Sequence, residues 1–305
     1  MKLGKLKSVS LRQIWAKEAS CFTPWLAQKE NLEELSANIG IDFDTPKCEY
    51  KVGDYRVDIF VTENGPQERK IVIENQFGYT DHDHLGKIIT YASGVDANVV
   101  IWIAEKARTE HKNAVKWLNE HSNNVIFFLI EISAVQIDNS KPAAQFKAVV
   151  KPEQYDITQT RKKSSITKDK KRILFWQNFV EYASHKKKFF TAFNKLKPLE
   201  RPYYDLKFSN KRYHFYLFSH HKGVGISVYM INQKDLFYHF KANAKKIEKE
   251  LGAKLVWKES VKACTIRWYA PKTSKQMTDT DLQKLFNWYM TAAFKYKDVF
   301  SKYEN

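Results

Sequence analysis

Two strand-like runs joined by one turn constrain the fold of this chain more than any other feature. Residues 55–62 and 69–76 are rich in β-branched and aromatic side chains, and residues 63–66 (ENGP) between them have the composition of a turn. Runs of this kind on either side of turn residues are typical of antiparallel strands. The segment 52–76 is therefore predicted to form a β-hairpin.

The register of this hairpin brings two carboxylates together. With the turn centred on Pro66, Asp58 lies opposite Glu74. Arg56 then lies opposite Gln76, and these four side chains share one face. The other face carries Val57, Ile59, Ile73 and Asn75. Two carboxylates at cross-strand distance repel by roughly 1 kcal/mol in water and by more in a cleft, so the pair favours a cation between them. The alternative is an ordinary solvent-exposed sheet face with scattered charges.

Helices and strands alternate after the hairpin. A helix begins within residues 80–83 (TDHD), carries apolar residues at helical spacing and is predicted to end at Gly94. Residues 97–103 and 124–130 are apolar runs typical of buried strands, and residues 107–121 between them form a helix. The apolar stripe of that second helix consists of Ala114, Trp117 and Leu118.

A helix also precedes the hairpin. It begins at Thr23 and Pro24. Its buried face consists of Leu26, Leu32, Leu35 and Ile39. The resulting order is one helix, three strands, and then helix, strand, helix and strand. This order predicts an α/β domain with one mixed sheet between helices.

At this point the chain resembles a known group of nucleases. Asp58 on the second strand and the sequence Glu74-Asn75-Gln76 on the third, within an αβββαβαβ order, are similar to the PD-(D/E)xK nuclease superfamily. Residues 73–94 (IENQFGYTDHDHLGKIITYASG) also resemble a group of bacterial proteins that carry this core before an uncharacterised C-terminal domain. The resemblance implies a restriction-endonuclease-like fold for residues 1–150.

The sequence departs from the superfamily pattern at two positions. Gln76 stands where the motif has a lysine, and a glutamine can orient a water but carries no charge. In the RecB-like branch a Gln-x-x-x-Tyr motif follows on the next helix, and here Lys87 occupies the glutamine position ahead of Tyr91. We therefore expect Lys87 to supply the charge that Gln76 lacks. The alternative is that Lys87 is an ordinary exposed helix lysine.

The resemblance implies hydrolysis of a phosphodiester bond assisted by Mg²⁺ or Mn²⁺. Asp58, Glu74 and the backbone carbonyl of Asn75 would be the oxygen ligands. Gln76 and Lys87 would orient the attacking water. A further carboxylate from the first helical region occurs in parts of the superfamily. Glu18 is the best candidate for it and Glu49 a weaker one, and either could simply be an exposed acid.

The net positive charge of the chain is confined to its second half. Residues 1–150 contain 18 Lys and Arg against 20 Asp and Glu, whereas residues 151–305 contain 33 against 14. This asymmetry favours phosphate binding over a merely basic solubility surface, so DNA is the expected partner. The residues expected to contact DNA are Arg56, His84, Tyr91, Lys162, Lys163, Lys170, Lys171, Arg172, Lys186, Lys187, Lys245, Lys246 and Lys249.

The second half is predicted to be a separate domain. Residues 151–172 lack apolar periodicity and form a basic linker. Residues 173–305 form a basic α+β domain that binds DNA or a partner, with helices over 173–196, 234–251 and 279–303. Its strands are predicted over 211–218, 224–231, 254–258 and 262–269. Tyr213, Phe215, Tyr216 and Phe218 could stack on bases, although core packing is the simpler explanation for alternating aromatics.

Other residues exclude several classes of protein. His82 and His84 are two apart at a helix start, where their side chains diverge, so a zinc site is not expected. The three cysteines show no paired spacing, which favours a reduced, cytoplasmic chain. There is no signal-like N-terminus and no long apolar run, so no membrane role is expected.

The chain is thus predicted to be a magnesium-dependent deoxyribonuclease, with restriction, phage defence or repair as the roles that the resemblance suggests. Cutting both strands with one site per chain would favour a homodimer. The competing interpretation is a nuclease-like DNA-binding or scaffold protein that has lost catalysis, which the glutamine at position 76 supports. A nucleotide hydrolase is disfavoured because no Gly-rich phosphate loop is present.

Overall fold

The computed structural model of the chain describes residues 3–122, 124–152, 166–186, 188–199, 201–220, 223–271 and 278–304, with the backbone alone for 166–171. The chain divides into two compact units. The first comprises Met1–Glu63 and Arg69–Ser164, and the second comprises Asn64–Glu68 and Ser165–Asn305. Both units combine helices with a β-sheet, and each is described by itself.

The first unit contains the predicted order of elements together with two further strands. Its strands are β1 Leu6–Val9, β2 Lys47–Val52, β3 Tyr55–Thr62, β4 Lys70–Tyr79, β5 Val99–Lys106, β6 Ile126–Ile137 and β7 Ala143–Val150. Its helices are α1 Leu11–Ile14, α2 Thr23–Leu26, α3 Lys29–Ile39, α4 His82–Val95 and α5 Thr109–His121, with a π-helical turn at Glu18–Phe22. The strands β1 and β7 were not predicted.

The seven strands of this unit form one mixed sheet. The strand order is β1-β6-β5-β4-β3-β2, and β7 also pairs with β6. The pairs β4–β5 and β5–β6 are parallel, because α4 and α5 carry the chain back across the sheet between them. The other pairs are antiparallel. The mixed sheet predicted from the sequence is confirmed.

The predicted register of the hairpin is confirmed over the pairs that join β3 to β4. Ile59 lies opposite Ile73, and Thr62 lies opposite Lys70. Ile59 and Ile73 pack together in the core on the face that also receives α3, as predicted. The register therefore directs Glu74 to the other face of β4, towards α4.

The predicted position of Val57 is wrong. Val57 packs with Val72 on the face of the sheet that α4 covers, although Ile59 two residues later packs on the opposite face. The alternation of β3 is therefore interrupted at Asp58. The neighbouring strand β2 is also irregular here, since Glu49 has a φ of 49° and takes no part in the pairing of β2 with β3. A local break of this kind re-aims a side chain at the end of a strand.

The helix α4 begins within the predicted residues 80–83 and ends at Val95, one residue beyond the predicted end. Asp81 is its N-cap, and an oxygen of the Asp81 side chain accepts from the backbone N–H of His84 at 2.8 Å. At the other end Asp96 adopts the left-handed conformation, with a φ of 56°. Gly94 therefore does not close the helix but lies inside it. A β-carbon at Gly94 would overlap a methyl group of Val52.

The apolar stripe of α5 differs from the predicted one. Its buried residues are His111 and Val115. Trp117 is 57% exposed and its ring stacks on that of His121, because the helix is rotated so that position 117 faces solvent. Leu118 is half-buried, as expected for the edge of the stripe.

The second unit is built on a separate antiparallel sheet of order β11-β12-β10-β9-β8. Its strands are β8 Tyr203–Leu206, β9 His214–His220, β10 Gly223–Ile231, β11 Val256–Glu259 and β12 Ala263–Tyr269. Its helices are α6 Ile166–Ser184, α7 Phe189–Ala192, α8 Lys234–Ala242, α9 Ala244–Leu251 and α10 Asp279–Lys302. Glu68 belongs to this unit and pairs with the buried Arg267 at 2.9 Å.

Three predictions for this unit require correction. The helix α6 begins at Ile166 rather than at residue 173, so Lys170, Lys171 and Arg172 are helical and not part of a linker. Asn243 divides the helix predicted over 234–251 into α8 and α9. The helix predicted over 173–196 ends at Ser184 and is followed by the short α7. In the described parts of the chain, no helix is both long and apolar enough to cross a membrane.

The two glycines of α4 provide a matched test of this packing. We expect Gly94→Ala to lower the free energy of unfolding by about 1–3 kcal/mol, because its methyl group must displace Val52. Gly86→Ala should raise it by about 0.5–1 kcal/mol, because nothing lies within 4 Å of the added carbon and alanine favours the helix. Urea unfolding of both variants measures the difference. Two shifts of the same sign would contradict the close approach of α4 to β2.

Candidate active site

The structure brings Asp58 of β3 and Glu74 of β4 together at a buried position of the first unit. Glu74 is only 4% exposed, and its Oε2 has no hydrogen-bond partner among the described residues. The backbone N–H of Asp58 donates to the Glu74 carboxylate. Asp58 Oδ2 in turn accepts from the backbone N–H of Asn75 at 2.8 Å and from the Asn75 side-chain amide. Each carboxyl group thus accepts a hydrogen bond from the strand that carries the other.

Burial makes it costly to ionise either carboxyl group. It raises the pKa of Glu74 to about 9, and the neighbouring charge of Asp58 acts in the same direction. Burial also raises the pKa of Asp58, although the hydrogen bonds from Asn75 oppose this effect. In the absence of a positive charge, Glu74 is therefore protonated at neutral pH. A cation between the two groups would remove this penalty.

Glu18, the third predicted carboxylate, approaches the same place from the π-helical turn. Its Oε2 accepts from the backbone N–H of Phe77 at 2.6 Å. Burial raises the pKa of Glu18, and the charge of Asp58 raises it further. Glu49, the weaker candidate, is exposed on β2, and its charge contributes to the raised pKa of Asp58.

The donor atoms at this position fit a hard divalent cation. Three carboxyl groups converge, and one oxygen of Glu74 is buried without a partner, which is the coordination chemistry that Mg²⁺ and Mn²⁺ prefer. The ligand atoms of Glu18, Asp58 and Glu74 do not all lie within 4.8 Å of one another; among the described residues, Asp81, Asp83 and His84 form the group that meets this distance. Asp58 and Glu74, whose carboxyl groups each accept from the other's strand, form the centre of the candidate site, and Glu18 acts on Asp58 electrostatically.

Gln76 is not directed at this pair of carboxylates. It is 4% exposed, and its amide nitrogen donates to the carbonyl of Tyr79 at 2.8 Å and to Asp81 Oδ2 at 2.9 Å. Its amide oxygen accepts from the indole N–H of Trp102 at 2.8 Å. Both amide hydrogens are thus used within the protein. The structure therefore places Gln76 between the core and the start of α4 rather than beside an attacking water.

Lys87 lies one turn into α4 and is held by its own helix. Its Nζ pairs with Asp83 Oδ2 at 2.8 Å, and 37% of its side chain is exposed. This hydrogen bond raises the pKa of Lys87. The charge of Lys87 also lowers the pKa of Glu74 and Glu18, so the ammonium group acts on the carboxylates electrostatically.

The remaining predicted residues of the first unit differ in accessibility. Arg56 is exposed at the start of β3. The side chain of His84 is 17% exposed, and its Nδ1 lies 2.8 Å from Asp81 Oδ1. Tyr91 of α4 is only 4% exposed and packs into the core of the first unit. The centroid of its ring lies 6.4 Å from that of Tyr55. Tyr91 is thus a core residue in this structure rather than an accessible contact.

The basic residues in the second half of the chain are described in part. Arg172, Lys186, Lys245, Lys246 and Lys249 are exposed. Lys162, Lys163 and Lys187 lie outside the described residues, as do the side chains of Lys170 and Lys171. The aromatic residues considered for base stacking are all buried, with Phe215 and Phe218 fully so. Core packing, the simpler of the two explanations, accounts for them.

Three residues of the site were not recognised in the sequence. Thr23 bonds the Asn75 side chain at 3.2 Å, Trp102 anchors Gln76, and Asp81 holds both Gln76 and His84. The contacts of Thr23 and Trp102 join distant parts of the chain, so no local sequence pattern predicts them. Asp81 lies in the predicted helix start at residues 80–83, but no sequence pattern indicated its contact with Gln76.

Comparison with known proteins concerns the second unit alone. Residues 171–304 match the family model described as Domain of unknown function (DUF4268). No curated protein and no solved structure matches the chain. The similarity therefore marks residues 171–304 as a recurrent domain and assigns no activity to it.

The raised pKa of Glu74 predicts how the stability of the metal-free protein depends on pH. Between about 4.5 and about 9 the folded state keeps the Glu74 proton that the unfolded state has lost. The stabilisation that Glu74 contributes is therefore complete below pH 4.5 and is lost as the pH rises towards 9, by at most about 1.4 kcal/mol per pH unit. Relative to the wild type, Glu74→Gln should become progressively more stable over this range.

Urea unfolding in the presence of a chelator, at intervals from pH 5 to pH 9, measures this effect. Glu120→Gln changes an exposed glutamate of α5 and should follow the wild type at every pH. A constant difference between Glu74→Gln and the wild type would show that Glu74 is ionised in the folded protein.

Proposed function

We propose that this chain is a metal-dependent DNA nuclease whose first unit has the restriction-endonuclease-like fold of the PD-(D/E)xK superfamily. One observation carries the proposal: among the described residues, no group bonds Oε2 of the buried Glu74 carboxylate, which lies beside Asp58 of the adjacent strand. A structural role would not require two carboxylic acids to be buried together, whereas a cation site does. The order of helices and strands around the mixed sheet supports the same fold.

The residues of the proposed site have separate tasks. Asp58 and Glu74 would hold a Mg²⁺ or Mn²⁺ ion, with Glu18 placed to reach it. When bound, this ion supplies Lewis-acid activation of water and stabilises the charge that develops on the phosphate. Lys87 adds positive charge near the carboxylates, although Asp83 holds its ammonium group. Gln76 fixes the start of α4 through Asp81.

The proposed substrate is DNA because the second half of the chain is strongly basic. Exposed lysines on α9, namely Lys245, Lys246 and Lys249, offer contacts to a phosphate backbone. A cytoplasmic location is proposed from the cysteines, which are all free thiols. Restriction, phage defence or repair would each employ such an enzyme, and a homodimer would allow both strands to be cut.

A catalytically inactive DNA-binding or scaffold protein is the second candidate function. It is favoured by Gln76, which replaces the motif lysine and has both amide hydrogens engaged within the protein. The buried carboxylate pair opposes this candidate, since a protein without a cation has no use for it.

Cleavage assays separate the two candidates. With Mg²⁺ or Mn²⁺, the full chain should cleave at least one of linear, circular or single-stranded DNA, while RNA reports on the choice of nucleic acid. Glu74→Gln should lower the rate by about 10²-fold or more, because the ion loses a carboxylate ligand. Glu120→Gln is the matched control and should retain the wild-type rate. Absence of cleavage, or cleavage that survives Glu74→Gln, would exclude this site as a nuclease centre.

The same variants test whether DNA binding is separate from catalysis. Glu74→Gln should bind DNA as tightly as the wild type, because the basic residues are unchanged. The affinity of both should fall steeply as salt is added, since lysine contacts to phosphates release counterions. An affinity that does not depend on salt would contradict the proposed role of the basic residues.

A further inference from the structure

We infer that His84 is the proton-transfer residue of the proposed nuclease site, and that Asp81 and Gln76 are its positioning residues. This inference rests on the proposed nuclease function and assigns the general base of the reaction. Position 76 offers no proton acceptor: the residue there is a glutamine rather than a lysine, and its amide hydrogens are donated to Tyr79 and Asp81. A group that accepts a proton from the attacking water must therefore come from elsewhere.

A chain of hydrogen bonds links His84 to the core of the first unit. The indole N–H of the fully buried Trp102 donates to Gln76 Oε1 at 2.8 Å, and Gln76 Nε2 donates to Asp81 Oδ2 at 2.9 Å. The other carboxylate oxygen, Asp81 Oδ1, lies 2.8 Å from His84 Nδ1. The same oxygen accepts the backbone N–H of His84 at 2.8 Å. The imidazole is thereby fixed in position by residues from two strands and a helix.

This arrangement determines the tautomer of the imidazole. A carboxylate oxygen at Nδ1 requires a hydrogen on Nδ1, so the lone pair of the neutral ring lies on Nε2. Asp81 remains ionised to accept that hydrogen: burial alone would raise its pKa, but the hydrogen bonds from His84 and Gln76 outweigh burial and lower it. No hydrogen-bond partner of Nε2 occurs among the described residues, and 17% of the His84 side chain is exposed. A solvent molecule or substrate can therefore reach Nε2.

His84 also lies close to the carboxylates of the site. Its charge lowers the pKa of Glu18 and of Asp58, which approach from the π-helical turn and from β3. Asp81, the N-cap of the same helix, and Asp83 within its first turn also lie within 4.8 Å of His84, so four carboxyl groups surround the ring. Lys87, one turn further along α4, is paired with Asp83 and is less available as a base. His84 thus offers an accessible ring nitrogen near the carboxylates of the site.

The proposed step balances without a further reactant. His84 Nε2 takes one proton from a water as the water oxygen forms a bond to phosphorus. The bond from phosphorus to the leaving oxygen breaks, and its electron pair stays with that oxygen, which takes a proton from solvent. The imidazolium then returns its proton to solvent. Asp81 keeps the ring aligned and stabilises its positive charge during the step.

Substitution with chemical rescue tests this role. His84→Ala should lower kcat by about 10²-fold or more while DNA affinity changes little. Added imidazole should raise the rate of His84→Ala roughly tenfold, because it can occupy the space that the side chain leaves and accept the proton. Imidazole should not rescue Glu74→Gln. His82→Ala removes the other histidine of this helix start and should retain activity.

Asp81→Asn tests the positioning of the ring and still offers an N-cap acceptor. Without the carboxylate the ring is no longer held in one tautomer and orientation, so kcat should fall while KM for DNA changes little. Nitrogen NMR of the metal-free wild type should show hydrogen on Nδ1 of His84. This spectrum can be recorded whether or not the protein cleaves DNA.

The outcomes are distinct. If the wild type does not cleave, the proposed nuclease function fails and the inference falls with it. If the wild type cleaves and His84→Ala keeps its rate within about twofold, the inference alone is overturned. It is equally overturned if activity is lost without imidazole rescue and more metal restores it, since His84 would then be a ligand in the group with Asp81 and Asp83. Hydrogen on Nε2 in the spectrum would contradict the assigned tautomer.

Discussion

The burial of the Glu74 carboxyl group beside Asp58 is the interaction on which the rest of the site depends. A carboxylate removed from water next to a second one is held at a cost of several kcal/mol unless a positive charge or a proton compensates. In the metal-free protein the proton does so, with the pKa of Glu74 raised to about 9. The proposed cation would take the place of this proton, and the charges of Glu18 and Lys87 act on the same carboxyl group.

The sheet explains why these groups meet. The pairing of β3 with β4 ends at Ile59 and Ile73, so Asp58 and Glu74 are the next residues along the two strands. The Asp58 side chain there accepts from the Asn75 backbone amide. The parallel pairing of β4 with β5 places Trp102 beside Glu74 along the sheet, from where its indole reaches Gln76. Gln76 then binds Asp81 at the start of α4. Gln76 is therefore a structural residue that joins the sheet to the start of α4.

Local patterns in the sequence predicted the features that depend on neighbouring residues. Alternation and turn composition were sufficient for the hairpin register, and apolar periodicity was sufficient for α4. The face of Val57 was mispredicted because it depends on the irregular Glu49 of another strand. The partners of Gln76 could not be predicted either, since Trp102 is brought to it by the parallel crossover. The helical start at Ile166 was missed because the basic segment around it has no apolar stripe.

The position of a bound metal ion tests the central claim most directly. Crystals of the full chain soaked in Mn²⁺ would show the ion by its anomalous scattering. The account predicts a peak between Asp58 and Glu74, within about 2.0–2.6 Å of the Glu74 oxygen that has no hydrogen-bond partner. A peak only at Asp81, Asp83 and His84, or the absence of any peak at the buried carboxylates, would contradict it.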